Sequence, residues 1–171
     1  MSCTLTITDE SKKEFYYYLG LLSTKFAKLE FNLLSILSKL ILDDFVLTST
    51  ILERNSLSQN IELLKKINKY KKFEVKSITK LIMSISNLKT TRNLFIHGIW
   101  GEPYIAENDI SIHCQEARIL YEEMENGKRW SSVRNHTFKL AFIKKQVQII
   151  DDLILAQDYL IDKLERSAFD E

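Results

Sequence analysis

The sequence has few residues that interrupt helices. Its 171 residues include only four glycines and one proline. Glycine and proline are the strongest local signals for turns and chain breaks. Their scarcity therefore favours long helices joined by few sharp turns.

Cysteine is equally scarce. The two cysteines, Cys3 and Cys114, form no C-x-x-C motif and belong to no Cys/His cluster. Disulfide frameworks and structural zinc sites need such clusters, so neither is indicated. Asp151 and Asp152 have no histidine at metal-ligand spacing. We therefore predict no metal and no cofactor, and a reducing compartment.

The chain also lacks an excess of either charge and a long apolar run. Lys and Arg total 24, Asp and Glu total 23, and the formal net charge is +1. This balance produces no global field, so any affinity for nucleic acid has to come from a local patch. No apolar run approaches the roughly 20 residues of a membrane span, and the N-terminal stretch has no signal-peptide pattern. We expect a cytoplasmic protein without a membrane segment.

Apolar residues recur at steps of three and four through most of the chain, which is the helical period. A first helix is predicted from about residue 10 to 42, with Thr8 or Asp9 as its cap. Its apolar stripe consists of Phe15, Leu19, Leu22, Phe26, Leu29, Leu33, Ile36 and Leu40. Shorter helices are predicted over 43–55, after an aspartate cap, and over 56–70, with Ser58 as cap. A fourth helix is predicted over 74–97, and a last long helix from Thr137 to about Arg166.

Residues 101–136 have a different character. Gly101 and Pro103 favour turns, and the segment ISIHC alternates as a strand does. The segment RWSSVR is a candidate partner for that strand, although EARILYEEMENG is equally compatible with a short helix. The predicted fold is all-α, a bundle of about four to five helices with a small hairpin-like insert before the last helix. We predict one domain over residues 1–171.

A cluster of polar residues closes the fourth predicted helix. The stretch TRNLFIHGIW, residues 91–100, contains Arg92, Asn93, His97 and Gly98. Asn93 and His97 are four residues apart and share a helix face, with Arg92 on its flank. Gly98 is a typical residue just beyond a helix C-terminus, and this end of a helix favours positive charge. A guanidinium, an amide and an imidazole are therefore expected to converge there.

These three side chains suit phosphodiester chemistry without a metal. Arg92 can hold a phosphate through two parallel hydrogen bonds and stabilise its charge during the reaction. His97 can accept or donate a proton near neutral pH. In RNA the neighbouring 2′-hydroxyl is a built-in nucleophile. Arg129 and His136 have a similar spacing, but a tryptophan follows that arginine, and we interpret the pair as coincidental.

The pattern Arg-Asn, three residues, His-Gly at a helix end resembles the motif of the HEPN superfamily (higher eukaryotes and prokaryotes nucleotide-binding domains). The specific match covers residues 91–100, where Trp100 is also similar to bacterial members, and the helical layout matches in outline. Many members of the superfamily are metal-independent endoribonucleases. The resemblance implies catalytic roles for Arg92, Asn93 and His97. It also implies a toxin or a phage-defence effector.

Such proteins typically dimerise with the two motifs facing each other across a two-fold axis. The chemistry gives a reason to expect the same here. One imidazole cannot easily be both the base for the 2′-hydroxyl and the acid for the leaving oxygen, whereas a two-fold pair supplies two histidines in one cleft. We predict a homodimer with a composite site that acts on RNA. The resemblance also implies a neutralising antitoxin partner of the nucleotidyltransferase-like type.

A lysine-rich stretch and one mid-helix glutamate each have two interpretations. The lysines form either a phosphate-tracking RNA surface or an ordinary solvated helix face. The predicted RNA-binding lysines are Lys69, Lys71, Lys72 and Lys76. Glu30 either pairs with Arg92 and positions it, or is an exposed helix residue.

A different class of function fits the same sequence. A non-catalytic helical module would bind a nucleotide, RNA or a protein partner and use the Arg92 region only as an anion site. Cleavage that depends on His97 separates the two hypotheses, because a binding module retains its ligand without cutting it.

Overall fold

The computed structural model describes residues 7–106, 109–120 and 130–167, of which 117–120 and 130–133 are described by their backbone alone. Five helices and a four-stranded antiparallel sheet occur in these ranges. In chain order they are α1 Asp9–Ile41, α2 Phe45–Leu52, α3 Leu57–Lys71, α4 Val75–His97, β1 Ile99–Trp100, β2 Tyr104–Ala106, β3 Asp109–Leu120, β4 Trp130–Lys139 and α5 Leu140–Ser167. A mostly helical fold with a small sheet before the last long helix is thus confirmed. Within these ranges, no helix is apolar over a length that would cross a membrane.

The chain divides into two compact units. The sheet unit comprises Met1–Ser23 and Thr91–Val147, and the helical unit comprises Thr24–Thr90 and Gln148–Glu171. The boundaries lie within α1, α4 and α5, so each of these helices contributes residues to both units. One domain over residues 1–171 stays a prediction.

Side-chain caps begin the first two helices as predicted. The Thr8 hydroxyl accepts a hydrogen bond from the Ser11 backbone N–H at 3.2 Å, at the start of α1. The Asp44 carboxylate accepts one from the Leu47 N–H at 2.9 Å, at the start of α2. Each cap satisfies a backbone donor that the first helical turn leaves unpaired.

The predicted cap of α3 is wrong by two residues, because Ser56 rather than Ser58 precedes the helix. The Ser56 hydroxyl accepts from the Gln59 N–H at 3.3 Å, and the Gln59 side chain accepts from the Ser56 N–H at 2.7 Å. This reciprocal capping box needs a Glu or Gln three residues after the cap. Ile61 stands three residues after Ser58 and cannot complete it.

β3 is the central strand of the sheet unit, with β1 and β2 along one edge and β4 along the other. Three residues lie between Trp100 and Tyr104 on the edge, whereas two lie between their partners Cys114 and Ser111 on β3. One extra residue therefore bulges out within 101–103. The sheet spans residues 99–139 and is wider than the predicted insert of 101–136.

The strand that contains ISIHC pairs with the strand that contains WSSVR, as predicted, but in a shifted register, and the predicted start of the last helix is wrong. Ile112 lies opposite Phe138, and Cys114 lies opposite His136, so ISIHC pairs with residues after RWSSVR. This register places apolar side chains of both strands on the same, covered face of the sheet. Thr137 remains in β4 opposite His113, and α5 begins at Leu140. The alternative of a helix over EARILYEEMENG fails for residues 116–120, which belong to β3, and its remainder lies outside the described residues.

The core of the helical unit uses the predicted stripe of α1. From Phe26 to Leu40, every predicted apolar position of α1 is at most 3% exposed. Buried residues of the other helices in this unit include Ile61, Leu64, Ile78, Leu81, Ile85, Leu88, Ile150 and Leu160. Two side-chain amides donate hydrogen bonds within the same core: Asn32 donates to the Asp158 carboxylate at 2.7 Å, and Gln157 donates to the Leu29 carbonyl at 2.9 Å. These bonds satisfy the amide donors, whereas Gln157 Oε1 is buried without a partner among the described residues.

Candidate functional site

The Arg92, Asn93 and His97 side chains lie on the last two turns of α4, in the sheet unit. Leu94 and Phe95 are 7% and 4% exposed and anchor this helix end in the core. Arg92 is half-buried, whereas Asn93 and His97 are exposed. The helix end therefore has one apolar anchoring side and one polar side that faces solvent.

The polar side contains a direct contact between two of the three residues. Arg92 Nη1 donates to Asn93 Oδ1 at 3.1 Å. Asn93 and His97 occupy positions i and i+4 of α4, which places them on one helix face. In the part of the chain that the structure describes, the His97 imidazole has no hydrogen-bond partner, so both ring nitrogens are available to a ligand. The arrangement offers a fixed cation and a proton acceptor or donor to one solvent-facing site.

Gly98 is required for space. Its N–H donates to the Leu94 carbonyl at 2.8 Å. A Cβ added to Gly98 would lie 2.2 Å from Cys114 Sγ and 2.5 Å from Leu94 O, and its φ is outside the left-handed region. Glycine therefore follows His97 because the sheet approaches the helix end closely, and a left-handed cap plays no part.

Cys114 is the sheet residue against which Gly98 packs. Its side chain is 0% exposed, and its thiol lies 3.9 Å from the Leu94 carbonyl oxygen. Burial, with a smaller contribution from the negative charge of Glu116, raises the pKa of the Cys114 thiol to about 11. The thiol is therefore neutral at physiological pH and acts as a small core residue.

Aromatic side chains hold the helix end against the sheet. The Phe95 ring centroid is 4.9 Å from that of Trp100 and 5.3 Å from that of Phe138. The Trp100 indole N–H also donates to the Phe95 carbonyl at 3.4 Å. Because Phe95 lies between Asn93 and His97 in sequence, this packing fixes the orientation of α4 at the candidate site.

Two exposed isoleucines lie beside His97 in sequence. Ile96 is 41% exposed and Ile99 is 63% exposed. Large apolar side chains in contact with water are unfavourable when they cluster, and they commonly mark protein-binding surfaces. The residues around His97 therefore offer apolar contacts as well as polar ones.

The remaining predicted site residues belong to the helical unit. Lys69, Lys71, Lys72 and Lys76 are exposed. Glu30 is half-buried, and its pairing with Arg92 stays a prediction. The sequence reasoning did not single out Asn68, which is buried among these lysines. The sequence did contain an indication of this position. Asn68 lies three residues after Lys65 and four residues before Lys72, which is the spacing of one helix face.

The other two histidines have partners within the sheet unit. His113 Nδ1 lies 3.0 Å from the Thr137 hydroxyl and 3.4 Å from the Tyr104 hydroxyl. His136 stacks on Phe138. Both side chains are thus engaged in contacts within the sheet unit, whereas Arg129 lies outside the described residues.

Metal-binding chemistry has no visible basis in the described ranges. There, no three His, Cys, Asp or Glu side chains are grouped so that they could hold a metal ion.

Comparison of the chain with protein-family models, curated proteins and solved structures finds no match.

Proposed function

We propose that the protein is a metal-independent RNA endonuclease of the HEPN type. One observation carries this proposal: the Arg92 guanidinium donates to Asn93, which shares a helix face with an exposed His97 that has no hydrogen-bond partner in the described part of the chain. The Arg-Asn-x-x-x-His spacing resembles that of HEPN ribonucleases, and here it occupies an anchored helix end. A solvent-facing imidazole and a cation on the same helix end suit the cleavage of a phosphodiester.

The proposed reaction is an internal transesterification. An imidazole removes the proton of the 2′-hydroxyl, and the 2′-oxygen forms a bond to the adjacent phosphorus. The bond from phosphorus to the 5′-oxygen breaks, and that oxygen takes a proton from an acid. The products are a 2′,3′-cyclic phosphate, which water can open to a 3′-phosphate, and a 5′-hydroxyl. Arg92 binds the phosphate, His97 transfers protons, and Asn93 orients them.

The acid and the base are proposed to be His97 of two copies of the chain. One imidazole would have to accept one proton and donate another within the same step, whereas a two-fold pair divides these roles. Ile96 and Ile99 support this arrangement, because their exposed side chains provide apolar contact area next to His97. The composite site would thus form at a homodimer interface.

The biological role proposed is that of a toxin or a phage-defence effector in the cytoplasm. The resemblance alone supports this role. A nuclease of this kind harms its host unless restrained, and a nucleotidyltransferase-like antitoxin is the proposed partner.

The activity is tested by incubating purified protein with RNA in EDTA. We expect wild type to release 2′,3′-cyclic phosphate ends, detected by mass spectrometry. His97→Ala is expected to lose about 10²- to 10⁴-fold, and Arg92→Ala about 10²- to 10³-fold. His113→Ala is the matched control, since it removes an exposed histidine of the same unit and should retain cleavage. Equal cleavage by wild type and His97→Ala, or RNA binding without cleavage in both, would reject the nuclease and favour the binding module.

The composite site has a separate test. Ile99→Asp places a charge on the proposed interface and should give a monomer by sedimentation, with cleavage lost. Leu155→Asp is the control, because Leu155 is similarly exposed at 67% but lies in the helical unit. If Ile99→Asp cleaves RNA as wild type does, the proposed composite site at a dimer interface is wrong, although the proposed nuclease activity would stand.

A further inference from the structure

A groove of about 480 Å³ lies between the end of α3 and the start of α4, within the helical unit. Its α3 wall is a stripe with intervals of three and four residues: Lys65, Asn68, Lys69 and Lys72. Its α4 wall has the same helical spacing: Val75, Ile78, Thr79 and Ile82. We call this feature the α3–α4 groove. One wall is rich in lysine and the other is mostly apolar, because each helix presents a single face to it.

The charge around the groove is unbalanced. Seven lysines and two glutamates lie between residues 62 and 80, with no arginine or aspartate. Both glutamates are engaged: Glu62 lies 3.9 Å from Lys65, and Glu74 accepts a hydrogen bond from Lys163 at 2.5 Å. Among the described residues, Lys69 and Lys72 have no ion-pair partner. The groove therefore carries uncompensated positive charge, although the whole chain is nearly neutral.

Asn68 is a buried polar side chain whose carboxamide oxygen has no hydrogen-bond partner among the described residues. The residue is 6% exposed, and the unpaired atom is Oδ1. Asn60, on the same helix and 7% exposed, shows the usual situation, because its Oδ1 accepts from Asn55 at 3.1 Å. Buried amides in native proteins are nearly always satisfied, so an unsatisfied one in a groove wall needs an explanation, and a bound molecule is one that also accounts for the surrounding lysines.

We propose that the α3–α4 groove binds a segment of single-stranded RNA. The lysine ammonium groups contact successive phosphates, and a base lies on the apolar wall formed by Val75, Ile78 and Ile82. The Asn68 carboxamide, after rotation about its terminal torsion, hydrogen-bonds the edge of that base, as amides do with unpaired bases. A free phosphate would use the lysines alone and leave both the apolar wall and Asn68 unexplained. This inference rests on the proposed function, since RNA is the ligand there, but it does not depend on His97.

The structure also divides the lysines that the sequence grouped together. Lys69 and Lys72 line the groove with Lys65, whereas Lys71 and Lys76 line other surfaces of the unit. Lys66 and Lys71 are exposed on the same helix but do not line the groove. They provide a control with the same change in charge.

The test measures binding in the His97→Ala background, where RNA stays intact. The probe is a fluorescein-labelled 12-nucleotide single-stranded RNA, followed by anisotropy at several salt concentrations. Lys65→Ala/Lys69→Ala should weaken binding at least tenfold, and the slope of log K against log salt should fall by about 1.4, since each lost phosphate contact contributes about 0.7. Lys66→Ala/Lys71→Ala should weaken binding less than threefold.

The role of Asn68 is tested with a second matched pair. Asn68→Leu should weaken RNA binding about three- to tenfold, the effect of one lost hydrogen bond, while its melting temperature stays the same or rises. Asn60→Leu should bind RNA normally and melt at a lower temperature. A purely structural role for Asn68 would give the opposite result for Asn68→Leu.

Three results would overturn the proposal that the α3–α4 groove binds RNA. These are no RNA binding by the His97→Ala parent at micromolar concentration, equal losses in the two lysine pairs, and unchanged binding by Asn68→Leu. Failure of the nuclease would instead appear as intact RNA with wild type, while the groove variants still differ in binding.

Discussion

Replacing Gly98 with alanine is expected to destabilise the sheet unit. The added Cβ would lie 2.2 Å from Cys114 Sγ and 2.5 Å from the Leu94 carbonyl oxygen. Ordinary contacts between heavy atoms begin near ~3.5 Å, so the sulfur is roughly 1.3 Å too close. Neither atom can move away easily, because Cys114 is 0% exposed and the carbonyl belongs to α4.

The expected loss lies in the upper part of the range for overpacked cores, about 3 kcal/mol. For a chain of this length, each kcal/mol lowers the melting temperature by about 2–4 °C, so a fall of roughly 6–12 °C is predicted. Cys114→Ala added to Gly98→Ala should restore part of this loss, since it removes the contact with sulfur but leaves the one with the carbonyl. Because His97 precedes Gly98, RNA cleavage should fall as well.

Gly20→Ala is the matched control for the same chemical change. Gly20 lies in the interior of α1, and a Cβ there would meet no atom within 4 Å. Alanine in a helix interior is favoured over glycine by about 0.8–1.0 kcal/mol, so the control should melt higher by roughly 2–4 °C. The measurement is thermal unfolding by circular dichroism. If Gly98→Ala melts at or above the temperature of wild type, the close approach of α4 to Cys114 is wrong.

Three further predictions concern stability in urea. Burial raises the pKa of the Cys114 thiol from 9.0 to about 11, so the folded state holds this proton to a higher pH than the unfolded state does. Wild type should therefore lose about 2 kcal/mol of unfolding free energy between pH 8 and pH 10.5 through this group, a loss absent in Cys114→Ala. Asn32→Ala removes a buried donor from the Asp158 carboxylate and should cost about 2–3 kcal/mol, whereas an unchanged midpoint would show that this hydrogen bond is not stabilising. The hydrogen bond from Lys163 lowers the pKa of the Glu74 carboxyl, so its contribution is present above about pH 4.5 and is lost as the pH falls through the lowered pKa. Glu74→Gln should be less stable than wild type at pH 6, and this difference should shrink as the pH falls below about 4.5.

The long helices could be predicted from apolar spacing because the helical period is a local property of the chain. Phe15 and Leu22 are buried on α1 as predicted, and only Leu19 of that stripe is half-exposed. The cap of α3 was missed although it is also local. The reciprocal partner Gln59 distinguishes Ser56 from Ser58, and that signal was present in the sequence.

The sequence predicted that a small hairpin-like sheet precedes the last helix, but not the register in which its strands pair. Strand alternation predicts which side chains share a face of one strand, but not which residue of another strand lies opposite. Ile112, which is 0% exposed, lies opposite Phe138, whose ring packs against Phe95 at the end of α4. That burial is a property of the packed unit, so the sequence left several registers open.

The sequence by itself determined the helical character, the single interruption by a small sheet, and the placement of Arg92, Asn93 and His97 at one helix end. It did so because helix periods, caps and turns act over a few neighbouring residues. The tertiary structure decided that Gly98 packs against Cys114, and which lysines face the α3–α4 groove around Asn68. These facts depend on residues distant along the chain or on a neighbouring helix, and only packing brings them together.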